Sequence, residues 1–225
     1  AAPKEEVSVL FWLLKVSGWI GAFILLLSIY FGSVVVRSFL ELRYPVAAPP
    51  DTVTAVETLI QEKNPREIVK LLQDEDSFYG KILLEGISDL RYGLDEARDR
   101  LERKADALTG DMERSISILA VLGTLGPMIG LLGTLKGMIS SFGAIAMSGV
   151  ALDPQKVAEG ISEALVLTFE GVGLSVPAIY FFSFFRNRIA KIRSEVTMVA
   201  DDHLRQIARL LKGKTVTGED VPPSQ

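Results

Sequence analysis

Residues 16–36 carry no charged side chain and are rich in Ile, Leu, Val and Phe. A helix needs about 20 such residues to cross the hydrocarbon core of a bilayer, because each residue advances it by about 1.5 Å. The run therefore predicts a membrane-spanning helix. Because 23% of all residues are charged, the chain as a whole must be shared between membrane and water.

Two further segments have the length and composition of spans. Residues 115–147 contain a single charged residue, Lys136. Residues 157–185 contain three glutamates, but the segment ends in an uncharged stretch that leads into a basic cluster at 186–193. A buried helix of a soluble protein is the alternative for this third segment, but an apolar stretch followed by basic residues is typical of a membrane exit. The sequence therefore predicts an all-α integral membrane protein with three transmembrane helices.

Basic residues flank the predicted spans unevenly. Arg37 and Arg43 follow the first span and the cluster at 186–193 follows the third, whereas the opposite ends carry few basic residues. Because Lys and Arg accumulate in cytoplasmic loops, we expect a cytoplasmic C-terminus and an N-terminus on the outer side. The expected segments are an outer N-terminal segment (1–15), a first span (16–36), a cytoplasmic helical region (37–114), a second span (115–147), an outer loop (148–156), a third span (157–185), a cytoplasmic C-terminal helix (186–212) and a disordered tail (213–225).

Apolar residues at helical spacing continue beyond the second and third spans. The stripe leading into the second span comprises Leu94, Ala97, Leu101, Leu108, Met112, Ile116 and Leu119. The stripe that follows the third span comprises Ile189, Ile192, Val196, Val199 and Ile207. Each pattern predicts one long helix with a long cytoplasmic extension. His203 lies on the later stripe, and since the sequence has no cysteine and no other histidine, we expect a packed or half-exposed side chain rather than a metal ligand.

The charge balance and the lack of cysteine exclude several functions. A net charge of -4 gives no electrostatic footprint for nucleic acid, which favours basic surfaces. Thiolate metal sites need cysteine, and the glycine-rich segments lie inside spans, where a phosphate group does not reach. We therefore expect no enzyme activity, no catalytic residue, no cofactor, no metal and no nucleic-acid partner.

Small residues form a ridge on each of the two later spans. The ridge of the second span, at separations of three and four, comprises Gly123, Gly126, Gly130, Gly133 and Gly137. The ridge of the third span comprises Gly160, Ala164, Thr168, Gly171, Ser175 and Ala178. Lipid gives helices no hydrophobic reason to associate, so small residues promote association by letting backbones approach closely. The ridges predict tight helix packing.

Charged residues inside the spans indicate a polar interior. Lys136, Glu163 and Glu170 lie within the predicted second and third spans. A charge near the bilayer centre costs at least about 2.5–3.5 kcal/mol on insertion scales, and such residues usually face a bundle interior or an aqueous cavity. Glu163 and Glu170 share a helix face, because seven residues rotate a helix to within about 20° of two full turns.

Two motifs resemble those of a known family. The second span contains the sequence Gly126-Pro127-Met128-Ile129-Gly130-Leu131-Leu132-Gly133-Thr134-Leu135-Lys136-Gly137-Met138. The third span contains Gly160-Ile161-Ser162-Glu163-Ala164-Leu165-Val166-Leu167-Thr168, then Gly171 and Val176-Pro177-Ala178. These motifs, in this order and spacing, are similar to those of the MotA/TolQ/ExbB proton-channel family, and three spans with an outer N-terminus resemble its ExbB and TolQ branch.

The resemblance implies a homopentameric ring in the inner membrane of a bacterium, so that the outer side is the periplasm. The implied partners are two copies of a single-span ExbD- or TolR-like protein, a periplasm-spanning TonB- or TolA-like protein, and membrane lipid. Ion flow, expected to be of protons, would drive mechanical work on the periplasm-spanning protein. In family members an Asp of the single-span partner carries the proton, so this chain alone is expected to be incomplete as a motor.

The resemblance also implies roles for individual residues. Thr134, Thr168 and Glu163 match positions of the ion pathway, and Pro127 and Pro177 match prolines that shape the helices. Lys136 and Glu170 depart from the apolar pattern of the family. If Thr134 and Thr168 lie at similar depth, Lys136 is within reach of both Glu170 and Glu163; we favour Glu170 and expect the two departures to form an intramembrane charge pair.

Three alternatives stay open at this point. The first is a structural membrane scaffold, a ring that the glycine ridges assemble without ion conduction. The second concerns the coupling ion, which is a proton or sodium. The third concerns the process served, which is ExbB-like, TolQ-like or another envelope function.

Overall fold

The computed structural model describes residues 9–147 and 154–216. They form the helices α1 (Val9–Glu41), α2 (Tyr44–Ala47), α3 (Pro50–Gln61), α4 (Pro65–Gln73), α5 (Phe78–Asp89), α6 (Leu94–Met147) and α7 (Pro154–Val216), with a short 3₁₀ helix at Leu90–Tyr92. The all-α prediction is confirmed for this part of the chain. The predictions for the N-terminal segment, the outer loop and the tail fall largely on residues 1–8, 148–153 and 217–225, which lie outside the described residues.

The chain divides into two units. The first, called the span unit here, consists of residues 9–38, 116–147 and 154–184. The second, called the small-helix unit, consists of residues 39–115 and 185–216 and contains the short helices α2 to α5. Helices α6 and α7 contribute residues to both units.

Three helices, α1, α6 and α7, are long and apolar enough to cross a membrane. By length and composition, these helices agree with the three predicted spans. Large apolar side chains on all three helices are exposed, among them Trp19, Ile139 and Phe169. Such side chains suit contact with lipid, where an exposed apolar surface carries no penalty.

The span unit is held together by contacts between α1 and α7 as well as by the glycine ridges. Ile20 and Ile24 of α1 are buried against Leu167 and Leu174 of α7. About two turns beyond Ile24 and Leu174, the rings of Phe31 and Phe181 lie with their centroids 6.0 Å apart. These contacts place α1 beside α7 along the unit.

Helix α1 is interrupted at Gly18, where φ is 59° and ψ is −146°. A residue with a Cβ rarely adopts a positive φ of this kind, because the Cβ collides with the backbone, whereas glycine does so readily. The first span therefore contains a kink that the apolar run did not predict. The segment Gly18–Glu41 is the part of α1 that has the length of a span.

The small-helix unit has a hydrophobic core of its own. Tyr79 and Leu83 of α5 are fully buried with Leu101 of α6 and Leu204 of α7. Both apolar stripes predicted for the long helices contribute to burial, since Ala97 and the later stripe residues Ile192, Val196 and Ile207 lie in the same core. The extensions of α6 and α7 are thus the scaffold on which the short helices pack.

His203 is buried in this core, as expected for a packed histidine. Its Nδ1 lies 2.6 Å from the hydroxyl of Tyr79, and its Nε2 lies 3.5 Å from Oε1 of Glu57. A neutral imidazole with its hydrogen on Nε2 satisfies both contacts, because Nδ1 then accepts from the tyrosine. Burial lowers the pKa of His203 below its ordinary 6.5 and outweighs the opposing effect of the Glu57 carboxylate.

Helix α7 continues through Gly213 to Val216, four residues beyond the predicted end at 212. A glycine ends a helix when it adopts the left-handed conformation of a C-cap, but within a helix it costs only about 1 kcal/mol relative to alanine. A single glycine in a long periodic stretch is therefore a weak stop signal.

Candidate ion-pathway site in the span unit

The ridges of α6 and α7 lie against each other. A Cβ added at Gly126 would lie 2.6 Å from the carbonyl oxygen of Gly171, and one added at Gly137 would lie 2.6 Å from that of Gly160. Both distances are far below an ordinary van der Waals contact, so only glycine fits at these two positions of α6. The two helices therefore meet backbone to backbone, which is the contact that small residues allow.

Side chains of α7 fill the remaining notches of the α6 ridge. Leu167 packs over Gly133, and Ile179 packs over Gly123. The ridge residues Ala164 and Ser175 contribute to the same contact, opposite Gly137 and Gly126. All five glycines of the α6 ridge thus lie at the α6–α7 contact, and Gly130 faces the backbone of residue 168.

Pro127 changes the hydrogen bonding of α6 at this contact. A proline has no N–H, so the carbonyl four residues earlier, that of Gly123, loses its partner within the helix. In the structure the hydroxyl of Ser175 on α7 donates a hydrogen bond to the Gly123 carbonyl. A side chain of a neighbouring helix thereby satisfies the backbone group that the proline leaves open, as membrane proteins require.

The two threonines bond to different parts of the helix pair. The hydroxyl of Thr134 donates to the carbonyl of Leu131 in its own helix, at 2.8 Å. The Thr168 hydroxyl lies 3.3 Å from the carbonyl oxygens of both Ala164 and Gly130, so it bridges α7 and α6. Thr168 is therefore level with Gly130, one turn of α6 away from Thr134. The assumption that the two threonines lie at similar depth is wrong by that turn.

Lys136 forms an ion pair with Glu163, and its Nζ lies 2.7 Å from Oε1. The partner of Lys136 is thus Glu163 and not Glu170, so the prediction of a Lys136–Glu170 pair is wrong. Since Thr168 is level with Gly130, Glu170 falls level with position 128 of α6, about 12 Å along the axis from Lys136. Glu163, by the same register, falls next to Lys136. Glu170 instead lies deeper along the pair of helices, with a buried Oε2.

The kink of α1 lies against this ion pair. A Cβ at Gly18 would lie 3.9 Å from Nζ of Lys136 and 3.9 Å from Oε1 of Glu163. The side chains of the pair are partly exposed, 43% for Lys136 and 26% for Glu163. All three helices of the span unit therefore meet at one point, where two opposite charges lie beside a break in the backbone.

Sequence reasoning missed two residues of this site. Gly18 follows a serine within an apolar run, and a Ser-Gly pair is one of the recognised causes of a helix kink. Ser141, which is buried, has its hydroxyl 3.0 Å from the Gly137 carbonyl and 3.2 Å from that of Val157 on α7. Its position four residues after Gly137 extends the ridge, and this spacing was a usable signal.

A family model described as the MotA/TolQ/ExbB proton channel family matches residues 74–198. The match includes all of α6 and the part of α7 that carries Glu163 and Thr168.

Curated relatives named as ExbB proteins match about half of the chain. The biopolymer transport protein ExbB of Pseudomonas putida is 33% identical over 110 residues, which cover 49% of this chain and 33% of that protein. The protein of the same name from Salmonella typhimurium is 35% identical over 101 residues, which cover 45% of this chain and 41% of that protein. The putative biopolymer transport protein ExbB-like 3 of Synechocystis is 32% identical over 130 residues, with coverages of 57% and 62%. The chain thus spans about a third to three fifths of these relatives.

Proposed function

The chain belongs to the MotA/TolQ/ExbB proton channel family, and we propose that it is the multi-span subunit of an ion-driven motor of the ExbB type in the inner membrane. The motor would couple ion flow to mechanical work on a periplasm-spanning protein of the TonB or TolA kind.

One observation carries this proposal. Hydroxyl and charged groups are concentrated on the packed pair α6 and α7, in the part of the chain that the family model matches. Within the span unit, most of the other residues of this helix pair are apolar, and a charge inside a membrane is costly unless it serves a path or a partner. A scaffold needs the glycine ridges but has no need of the ion pair or of the half-exposed Thr134.

The chemistry that we assign to these groups is proton transfer through bound water. The hydroxyls of Thr134 and Thr168 both donate and accept hydrogen bonds, so they can hold water in a narrow path. The carboxylate of Glu163 offers two oxygens that accept a proton or a hydrogen bond. The remaining carboxylate of the path would come from the single-span partner.

We also propose the assembly and topology that the family implies. Five copies would surround two copies of an ExbD- or TolR-like protein, with α6 and α7 lining the interior. The N-terminus would lie in the periplasm and the C-terminus in the cytoplasm, in agreement with the uneven distribution of Lys and Arg. Exposed apolar residues on α6 and α7, such as Leu131 and Val176, leave ample surface for contacts between copies.

The test is a double variant, Thr134→Val and Thr168→Val, in the full chain copurified with its single-span partner. Valine keeps the volume and removes the donor and acceptor, so we expect the pentamer to form and proton uptake into liposomes to fall at least about tenfold, as for the loss of about 1.4 kcal/mol. Thr124→Val is the matched control. Thr124 is an exposed threonine of the same span whose hydroxyl bonds to carbonyls of its own helix, 2.9 Å from that of Val121.

Three outcomes would contradict parts of the proposed function. Undiminished proton uptake by the double variant would refute the roles of the two threonines. A wild-type complex that assembles fully and moves no ions would refute the motor and favour the scaffold. A stable monomer or dimer in native mass spectrometry would contradict the pentamer.

A further inference from the structure

Lys136 places a fixed positive charge at a carboxylate of the proposed ion path. The ammonium lies 2.7 Å from Oε1 of Glu163, which is the distance of a strong charge-assisted hydrogen bond. Among the described residues, Glu163 is the one carboxylate within 4.0 Å of Lys136 Nζ. The pair is therefore neutral as a unit, and its positive member occupies one side of the carboxylate.

The kink of α1 lies next to the ion pair of Lys136 and Glu163. A Cβ added at Gly18, at the kink, would lie 3.9 Å from Nζ of Lys136 and 3.9 Å from Oε1 of Glu163, which is an ordinary van der Waals contact. Because φ is 59° there, a side chain at residue 18 would strain the backbone. The backbone of α1 therefore borders the ion pair on one side.

A proton and a metal cation make different demands on such a carboxylate. A proton needs a single lone pair, and Glu163 retains those of Oε2 when Oε1 is held by the ammonium. A hard metal cation needs several oxygen ligands and net negative charge around it. A carboxylate that is already neutralised by an ammonium lacks the net negative charge that a metal cation requires.

We propose that Lys136 determines the ion specificity of this chain, because its ammonium occupies the cation position on Glu163 and so admits protons and excludes sodium. This inference rests on the proposed function, since it assigns the coupling ion of the same site. Lys136 is a specificity-determining residue in this account, and Glu163 is the group on which it acts.

The experiment compares sodium and proton uptake by the full complex in liposomes under an imposed membrane potential. In Lys136→Met, which removes the charge and keeps the length, we expect sodium uptake at least about tenfold above wild type, equivalent to about 1.4 kcal/mol. Lys136→Arg keeps the charge and should keep sodium exclusion. Lys136→Met with Glu163→Gln removes both charges and should exclude sodium again. Lys191→Met is the matched control, because Lys191 is an exposed lysine of the small-helix unit that pairs with Glu195 in its own helix.

A second measurement uses the wild-type complex alone and so does not depend on the assembly of any variant. Sodium added on the side of proton entry should leave the rate of proton uptake unchanged. Two results would overturn the inference and leave the proposed function intact. One is that sodium slows proton uptake by the wild-type complex. The other is that a Lys136→Met complex conducts protons but takes up no more sodium than the wild type. A wild-type complex that moves no ions would refute both.

Discussion

Replacing Gly126 by alanine tests the closest approach between α6 and α7. The added Cβ would lie 2.6 Å from the carbonyl oxygen of Gly171 and 3.1 Å from Cβ of Ser175. The nearer atom belongs to the backbone, so no change of a side-chain rotamer can make room. The two helices would have to move apart at this point of the ridge.

The size of the effect follows from the distance that the helices must move. An ordinary contact needs at least 3.4 Å, so the Cβ to oxygen distance must increase from 2.6 Å by about 0.8 Å. A gap of about 0.5–1 Å removes a quarter to a half of the dispersion energy of each contact that it opens. Overpacking of a well-packed interior typically costs about 1–3 kcal/mol. We therefore expect Gly126→Ala to destabilise the chain by about 2 kcal/mol.

The measurement is the apparent melting temperature of the full chain in mild detergent. For a chain of this size, about 2 kcal/mol corresponds to a decrease of roughly 4–8 °C. Gly143→Ala is the matched control on the same helix, because a Cβ there would meet nothing within 4 Å. Alanine favours a helix over glycine by about 1 kcal/mol, so this control should melt at or slightly above the wild-type temperature.

Equal melting temperatures for Gly126→Ala and Gly143→Ala would refute the argument. That result would mean that α6 and α7 have room for a methyl group at Gly126, and that the glycine ridge serves some purpose other than backbone contact. A decrease in both variants would point to helix flexibility as the property that alanine removes.

Two further predictions concern single buried polar groups. Because burial lowers the pKa of His203 below 6.5, the unfolded chain takes up a proton at a higher pH than the folded chain does. The stability that this group contributes is therefore complete above about pH 6.5 and decreases below it. Between pH 8 and 5.5 the melting temperature should decrease less in His203→Gln than in the wild type, and identical slopes would contradict this assignment. Ser175→Ala leaves the Gly123 carbonyl without its partner and should lower the free energy of unfolding by about 1–3 kcal/mol. The control Ser33→Ala removes an exposed hydrogen bond to Tyr30 of the same helix and should leave the melting temperature nearly unchanged. An equal effect of the two serine variants would show that the carbonyl finds another partner.

The sequence predicted the helices and their contact more reliably than the register between them. Glycines at separations of three and four define a face whatever the partner is, so the ridge of α6 and its match on α7 could be found by pattern alone. The level at which Thr168 meets α6 depends on how Leu167 and Ile179 fit between the glycines. That fit depends on both helix surfaces together. The register between α6 and α7 differs by one turn from the one assumed, so Glu163 and not Glu170 is the partner of Lys136.

Contacts between distant parts of the chain were also out of reach of periodicity. Tyr79 and His203 are separated by 124 residues, and nothing in either stripe indicates that they meet. The kink at Gly18 was hidden for a different reason, since an uncharged run predicts a span equally well with or without a break. In both cases the apolar pattern identifies the buried face, and the packing of particular neighbours decides the rest.

The bond between Ser175 and the Gly123 carbonyl has a consequence for how the protein is made. While α6 is alone in lipid, Pro127 leaves one of its carbonyls without a hydrogen bond, and an unsatisfied backbone group in hydrocarbon costs several kcal/mol. The donor that removes this cost is on α7, which begins only seven residues after α6 ends. Biogenesis at the translocon therefore favours entry of α6 and α7 into the bilayer as a hairpin, with the two helices already in contact when lipid surrounds them.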